Sequence, residues 1–278
     1  MSRNQIRVEV VGRTPWSAAG GCPGGPAGFW IRALAATSFI FRAAPVSFAL
    51  MCFGSTAWAE GPLEAPRVGW IADGRGQLRE IYGVPGAFVQ GQVEASGVVS
   101  AGCSESLCLA KTRDRILAGE KNVAAPEGPA MFAFDGDRAL LYFPDSRKFA
   151  WWREDRLEVV EWSIAGEVLS ARVSMAGPEI AVRRDGVTWI VSPDGGLLHS
   201  LACSGAVLLL GGGVLYSTEQ GLVLGRRSGA EIHFELTGVS ELFLLSPRFA
   251  AARANGTTYV IRLTEGHEEM FQLPEAAE

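Results

Sequence analysis

Residues 179–201 read EIAVRRDGVTWIVSPDGGLLHSL: three short runs, 179–184, 187–192 and 197–201, parted by Asp185-Gly186 and by Asp194-Gly195-Gly196. Asp-Gly between apolar runs supplies the positive φ angles of a two-residue hairpin turn. The stretch therefore reads as three antiparallel strands of a meander. The same layout returns in 138–162 (RALLYFPDSRKFAWWREDRLEVVEW), 213–236 (GVLYSTEQGLVLGRRSGAEIHFEL) and 248–273 (RFAAARANGTTYVIRLTEGHEEMFQL). The glycines of the first turn, Gly186, Gly221 and Gly256, are 35 and 35 residues apart. A more continuously apolar run precedes the trio, as in 207–210 (VLLL) and 242–245 (LFLL), and implies a strand covered on both faces.

One buried strand followed by a three-stranded meander, repeating every ~34–40 residues, is the unit of a propeller blade; its innermost strand is expected to be the most buried. A sandwich has no such self-similarity. Upstream, 87–91, 98–101, 107–111 and 115–117 fit one further blade. Runs 67–72 and 78–82, joined across Asp73-Gly74-Arg75-Gly76, fit only half of one. The expected fold is all-β: a β-propeller of five full four-stranded blades plus an N-terminal half blade, about six in all. Five residues after Leu273 are too few to complete the half blade. The hairpin should then wedge between the first and last full blades, with Trp70, Ile81 and Tyr82 against 241–273. A groove beside it would be the docking surface.

The GWIADG hairpin (69–74) followed by IYGVPGA (81–87) resembles the entry of secreted bacterial β-propeller proteins of the YVTN/WD40-like class. The resemblance spans roughly 67–273 and rests on period and turns. It implies an exported propeller that works as a binding or scaffold module for a protein or a small ligand.

The chain before the repeats has a different character. Arg32 and Arg42 lie before and between two apolar blocks, 33–41 and 43–53, and Ala57-Trp58-Ala59 has the small-residue pattern of a signal peptidase site. Residues 1–59 read as an N-terminal extension and secretory signal, and 60–278 as the propeller domain, beginning at Glu60. The alternative is an uncleaved anchor, against which Arg42 in mid-segment counts. The expected address is periplasmic or extracellular, with no permanent membrane span after cleavage.

The leader carries five Arg and one Glu, so the remainder keeps 20 basic and 29 acidic residues, net −9. Such a domain repels phosphate backbones, and no nucleic-acid partner is expected. In an oxidising compartment Cys103 and Cys108 could close a short disulfide loop, leaving Cys203 as a small buried residue.

No catalytic, cofactor or metal set is expected. His199, His233 and His267 are 34 and 34 apart, which places them at equivalent outer-strand positions of consecutive blades, too far apart to share an ion. Trp151 and Trp152, near Phe143, Phe149 and Trp162, are adjacent on a strand and point to opposite faces. They read as packing between blades rather than a sugar platform. Asp135-Gly136-Asp137 reads as a turn rather than a calcium loop, and Asn255-Gly256-Thr257 as a hairpin turn that also fits the N-glycosylation pattern. Ser104 and Ser106 lack the surroundings of a nucleophile. The rival readings are a propeller hydrolase or lyase with an axial site, and a structural subunit of an envelope assembly.

Overall fold

The computed structural model describes Glu9–Val11 and residues 65–203 and 205–275. The expected signal and its cleavage point fall outside the described residues, except for Glu9–Val11, which forms a short strand, β1. The other described residues form six antiparallel sheets and no helix. Blade 1 is β2 (Arg67–Ala72), β3 (Gln77–Val84) and β4 (Ala87–Ser96). Blade 2 is β5 (Val98–Cys103), β6 (Cys108–Thr112), β7 (Arg115–Ala118) and β8 (Lys121–Ala124). Blade 3 is β9 (Met131–Asp135), β10 (Arg138–Phe143), β11 (Lys148–Arg153) and β12 (Arg156–Val160). Blade 4 is β13 (Glu167–Ser174), β14 (Gly177–Arg184), β15 (Val187–Val191) and β16 (Leu197–Leu201). Blade 5 is β17 (Val207–Leu210), β18 (Gly213–Thr218), β19 (Gly221–Arg226) and β20 (Glu231–Phe234). Blade 6 is β21 (Val239–Ser246), β22 (Phe249–Ala254), β23 (Thr257–Arg262) and β24 (Glu269–Gln272). Strands pair in chain order within each sheet, and β1 adds to the outer edge of β20. The protein is a six-bladed β-propeller.

The turns do what their sequences require. Asp185-Gly186 (φ 51° and 77°) and Asn255-Gly256 (51° and 80°) have the doubly positive φ of a hairpin turn whose twist matches its strands. Alternation along the strands then sends successive side chains to different neighbours. Leu140, Tyr142, Phe149 and Trp151 of blade 3 pack on Val168, Ile180 and Val182 of blade 4. Ala139, Leu141, Phe143, Ala150 and Trp152 pack on Leu109 and Ile116 of blade 2. Trp151 and Trp152 thus serve two separate interfaces. Similar clusters join blades 1 and 2, 4 and 5, 5 and 6, and 6 and 1. The core is the set of seams between blades.

Blade 1 corrects the sequence reading in two ways. It has three strands, not two, because β4 belongs to it and not to blade 2. Blade 2 finds its fourth strand in β8, whose KNVA sequence carries no strand signal. β2 leads through the Asp73–Gly76 turn to β3 as second strands lead to third strands elsewhere, and β4 runs through Gly97 directly into innermost β5. Blade 1 therefore lacks an innermost strand. Behind it β5 and β21 approach each other: a methyl on Gly102 would sit 3.6 Å from the Leu244 carbonyl oxygen.

The ring closes by packing. Val68, Ile71, Ile81 and Phe88 bury against Leu245, Ala251, Val260 and Leu273 of blade 6. Gln90 Nε2 donates to the Pro274 carbonyl at 2.8 Å. Ile81 meets the last blade as expected. Trp70 instead packs on the seam with blade 2, since it points to the opposite face from Ile71. The Tyr82 hydroxyl is held by Glu80 on its own strand.

The expectation that innermost strands are the most buried also needs correction. β17 is buried throughout, but β9, β13 and β21 are only partly so. The most continuous burial lies in second and third strands such as β10 and β11. Innermost strands border a cavity, which leaves one side open.

Buried polar groups mark the seam of blades 4 and 5. Tyr216 is held up at about 12, first by burial and then by the Glu231 carboxylate, to which its hydroxyl donates at 3.4 Å. A phenol whose folded pKa is raised stabilises the fold fully below its ordinary value near 10. That contribution is lost as pH rises from about 10 towards 12, because the unfolded chain releases the proton first. Urea midpoints should therefore fall across that window, and Tyr216→Phe should flatten the decline relative to the parent.

Candidate functional site

The five innermost strands, joined by Ala72 at the tip of β2, surround an axial cavity of about 450 Å³. Three of them, in alternate blades, carry a bulge near the start: at Val98/Ser100, Val168/Ser170 and Val239/Glu241. A bulge sets two residues against one and re-aims the side chains that follow. Two of the resulting serines staple their strand to the next blade. Ser100 Oγ accepts the Ala130 N–H at 3.0 Å, and Ser170 Oγ accepts the Leu209 N–H at 3.0 Å.

Two ion pairs stand at the mouth in equivalent places. On blade 4, Arg183 is directly opposite Glu167 and meets it at 3.2 Å, while its Nη2 donates to the Gly205 carbonyl at 2.6 Å. On blade 6, Arg253 is opposite Glu241 at 2.7 Å, and its Nη2 donates to the Ala72 carbonyl. Each guanidinium thereby reaches across to the following blade. Glu167 and Glu241 are 65% and 50% exposed, so the carboxylates lean to solvent and the arginines form more of the wall. The pairs are balanced in charge, and surface pairs of this kind add little to stability. Below them the wall turns apolar through Phe132, Phe134, Leu169, Leu242 and Phe243, with Arg253 stacked 5.3 Å above the Phe243 ring. The Arg183 Nε is buried and has no hydrogen-bond partner. A wall of this kind suits a ligand with an apolar body and a hydrogen-bond acceptor.

The sequence reading did not select these arginines, although a signal was present. Arg183 and Arg253 are 70 residues apart, two blade lengths, and each stands two residues before its hairpin turn. The groove expected beside blade 1 is not the concavity seen, because blade 1 is sealed onto blade 6 and the open space lies on the axis.

Cys103 and Cys108 end and begin the paired strands β5 and β6, directly opposite with Cα atoms 4.1 Å apart, and their sulfurs are joined. Cys203 is buried, which pushes its thiol up. His199 lies on β16, His233 on β20, and His267 in the turn before β24, the outermost strands of blades 4, 5 and 6. Asp135 ends β9, Asp137 lies in the β9–β10 turn, and Asp135 is paired with Arg138. No group of three His, Cys, Asp or Glu converges as metal ligands would among the described residues.

No family model and no curated protein matches the chain. Among solved structures it is similar to a protein of unknown function from Bacteroides caccae, at 14% identity over 76% of this chain and 94% of that one, TM-score 0.44. It is similar to apo AztD from Citrobacter koseri, at 13% identity over 77% and 71%, TM-score 0.43. It is also similar to BBS1N, solved in complex with ARL6DN, at 13% identity over 77% and 80%, TM-score 0.40.

Proposed function

We propose that this protein is an exported binding module that holds a small ligand, or the tip of a partner protein, in the axial cavity. The observation that carries the reading is the cavity itself: about 450 Å³ of open space with paired charges at its mouth and aromatic side chains below. A second strand of support is chemical. The carboxylates at the mouth are each committed to an arginine and exposed, and no histidine lines the wall, so the site is equipped to hold rather than to transfer protons. Export rests on the leader and on Cys103–Cys108, a cross-strand pair that stays oxidised outside the cytoplasm. Among the described residues no helix is long and apolar enough to cross a membrane.

The test uses protein isolated from an envelope fraction and examined by native mass spectrometry. The chain is expected to begin at Glu60 and to carry an added mass that denaturation releases. Ser240→Trp, a change at an exposed position of the mouth, should remove that mass without altering the circular dichroism spectrum. An added mass that survives in Ser240→Trp would overturn the axial site. A chain that retains Met1 in the cytoplasm would overturn export.

A further inference from the structure

Arg153 closes β11 and is directly opposite Arg156, which opens β12, across the two-residue turn Glu154-Asp155. Both turn residues have positive φ, 49° and 58°, so the hairpin is tight. Directly opposed residues hold their Cβ atoms about 5 Å apart, and like charges in that position are destabilising. The two side chains share the face that carries Trp151. The Arg153 guanidinium lies 4.7 Å from the Trp151 ring centre, and the Arg138 guanidinium lies 5.5 Å from the same ring. Three guanidinium groups thus gather at one end of blade 3.

Their partners are unequal. Asp135 holds Arg138 through Nε at 2.8 Å and through Nη2. Asp155 is engaged by Lys121 of blade 2 at 3.5 Å. Among the described residues no carboxylate and no carbonyl pairs with Arg153 or Arg156, and the Arg153 Nε is buried without a hydrogen-bond partner. Other arginines with a buried, unpartnered Nε differ: Arg183 and Arg226 donate through their terminal nitrogens to a carboxylate and a carbonyl. Arg153 keeps only its contact with the indole.

We infer that this hairpin end of blade 3 is a binding site for a doubly charged oxyanion of the sulfate or phosphate type. Asp135 neutralises Arg138, which leaves two guanidinium charges facing each other for the ion to bridge. Trp151 holds the Arg153 guanidinium through its face, and the edge N–H groups of both arginines remain for forked hydrogen bonds to anion oxygens. Bound there, the ion turns a repulsive cross-strand pair into a clamp. Three carboxylates work against it: exposed Glu154 and Asp155 in the turn between the two arginines, the latter engaged by Lys121, and Glu158, exposed two residues beyond Arg156 and opposite Trp151. The site is separate from the axial cavity and does not depend on what that cavity holds.

The test is a titration of the 15N-labelled full chain with sodium sulfate at constant ionic strength, balanced with sodium chloride, following the arginine Nε–H signals. A saturable shift of the Arg153 signal with a single dissociation constant is expected. Arg156→Gln should raise that constant about tenfold, the loss of one charge-assisted hydrogen bond, and Glu158→Gln should lower it several-fold. Both positions are exposed, so folding is not at issue. A linear shift, one that chloride alone reproduces, or constants that neither substitution moves would overturn the site.

Discussion

Gly69→Ala is expected to lower the stability of the propeller by about 3 kcal/mol or more, at the upper end of what overpacking costs. Two causes act together: Gly69 has φ 159°, a backbone conformation that L side chains rarely adopt, and there is no space for a side chain. A Cβ there would lie 2.2 Å from the carbonyl oxygen of Leu245 and 2.7 Å from its carbonyl carbon. Both are backbone atoms, which cannot swing aside. Leu245 is fully buried, and the flanking Val68 and Ile71 are 3% exposed, so neither strand can retreat without opening the seam between blades 1 and 6. That seam closes the ring, and among the described residues no strand is exchanged across it to share the strain. Gly74→Ala is the control: it lies in the turn after the same strand with nothing within 4 Å of its Cβ, and should stay within about 0.5 kcal/mol of the parent. Urea unfolding of the two variants separates the outcomes. Equal midpoints would mean that blade 1 is not clamped onto blade 6.

The parts of this fold that were legible in the sequence are those under two constraints at once. Second and third strands are covered on both faces by neighbouring blades, so β10, β11, β14 and β19 had to be apolar. The hairpins between them had to turn within two residues, which selected Asp185-Gly186 and Asn255-Gly256. Strands with a free side left weaker traces. β4 reads AFVQGQVEAS because most of it faces solvent, and its one well-buried residue, Phe88, looked like the start of something else. β8 was invisible for the same reason. The axial site was hidden more thoroughly. Its charged residues are ordinary Arg and Glu, its serines act through bulges that no spacing rule anticipates, and its shape depends on blade 1 lacking an innermost strand.

Trp152→Ala should have the largest effect of any single core truncation in blade 3, about 3–5 kcal/mol. Trp152 is 1% exposed and fills the seam between blades 2 and 3 with Leu109, Ile116, Leu141 and Phe143, themselves fully buried. Packed strands on both sides keep those neighbours from collapsing into the space left. Retention of most of the ring in Trp152→Phe should recover about half of the loss, because the cost follows the residual cavity. The location of the damage matters as much as its size. Trp151 occupies the opposite seam, so Trp152→Ala leaves the blade 3–blade 4 cluster without a missing member. Amide exchange should quicken first in β6, β10 and β11, which border the emptied seam, while β22 and β23 on the far side keep their protection. Uniform loss of protection across all six blades would show instead that the seams do not open separately, and that the ring unfolds only as a whole.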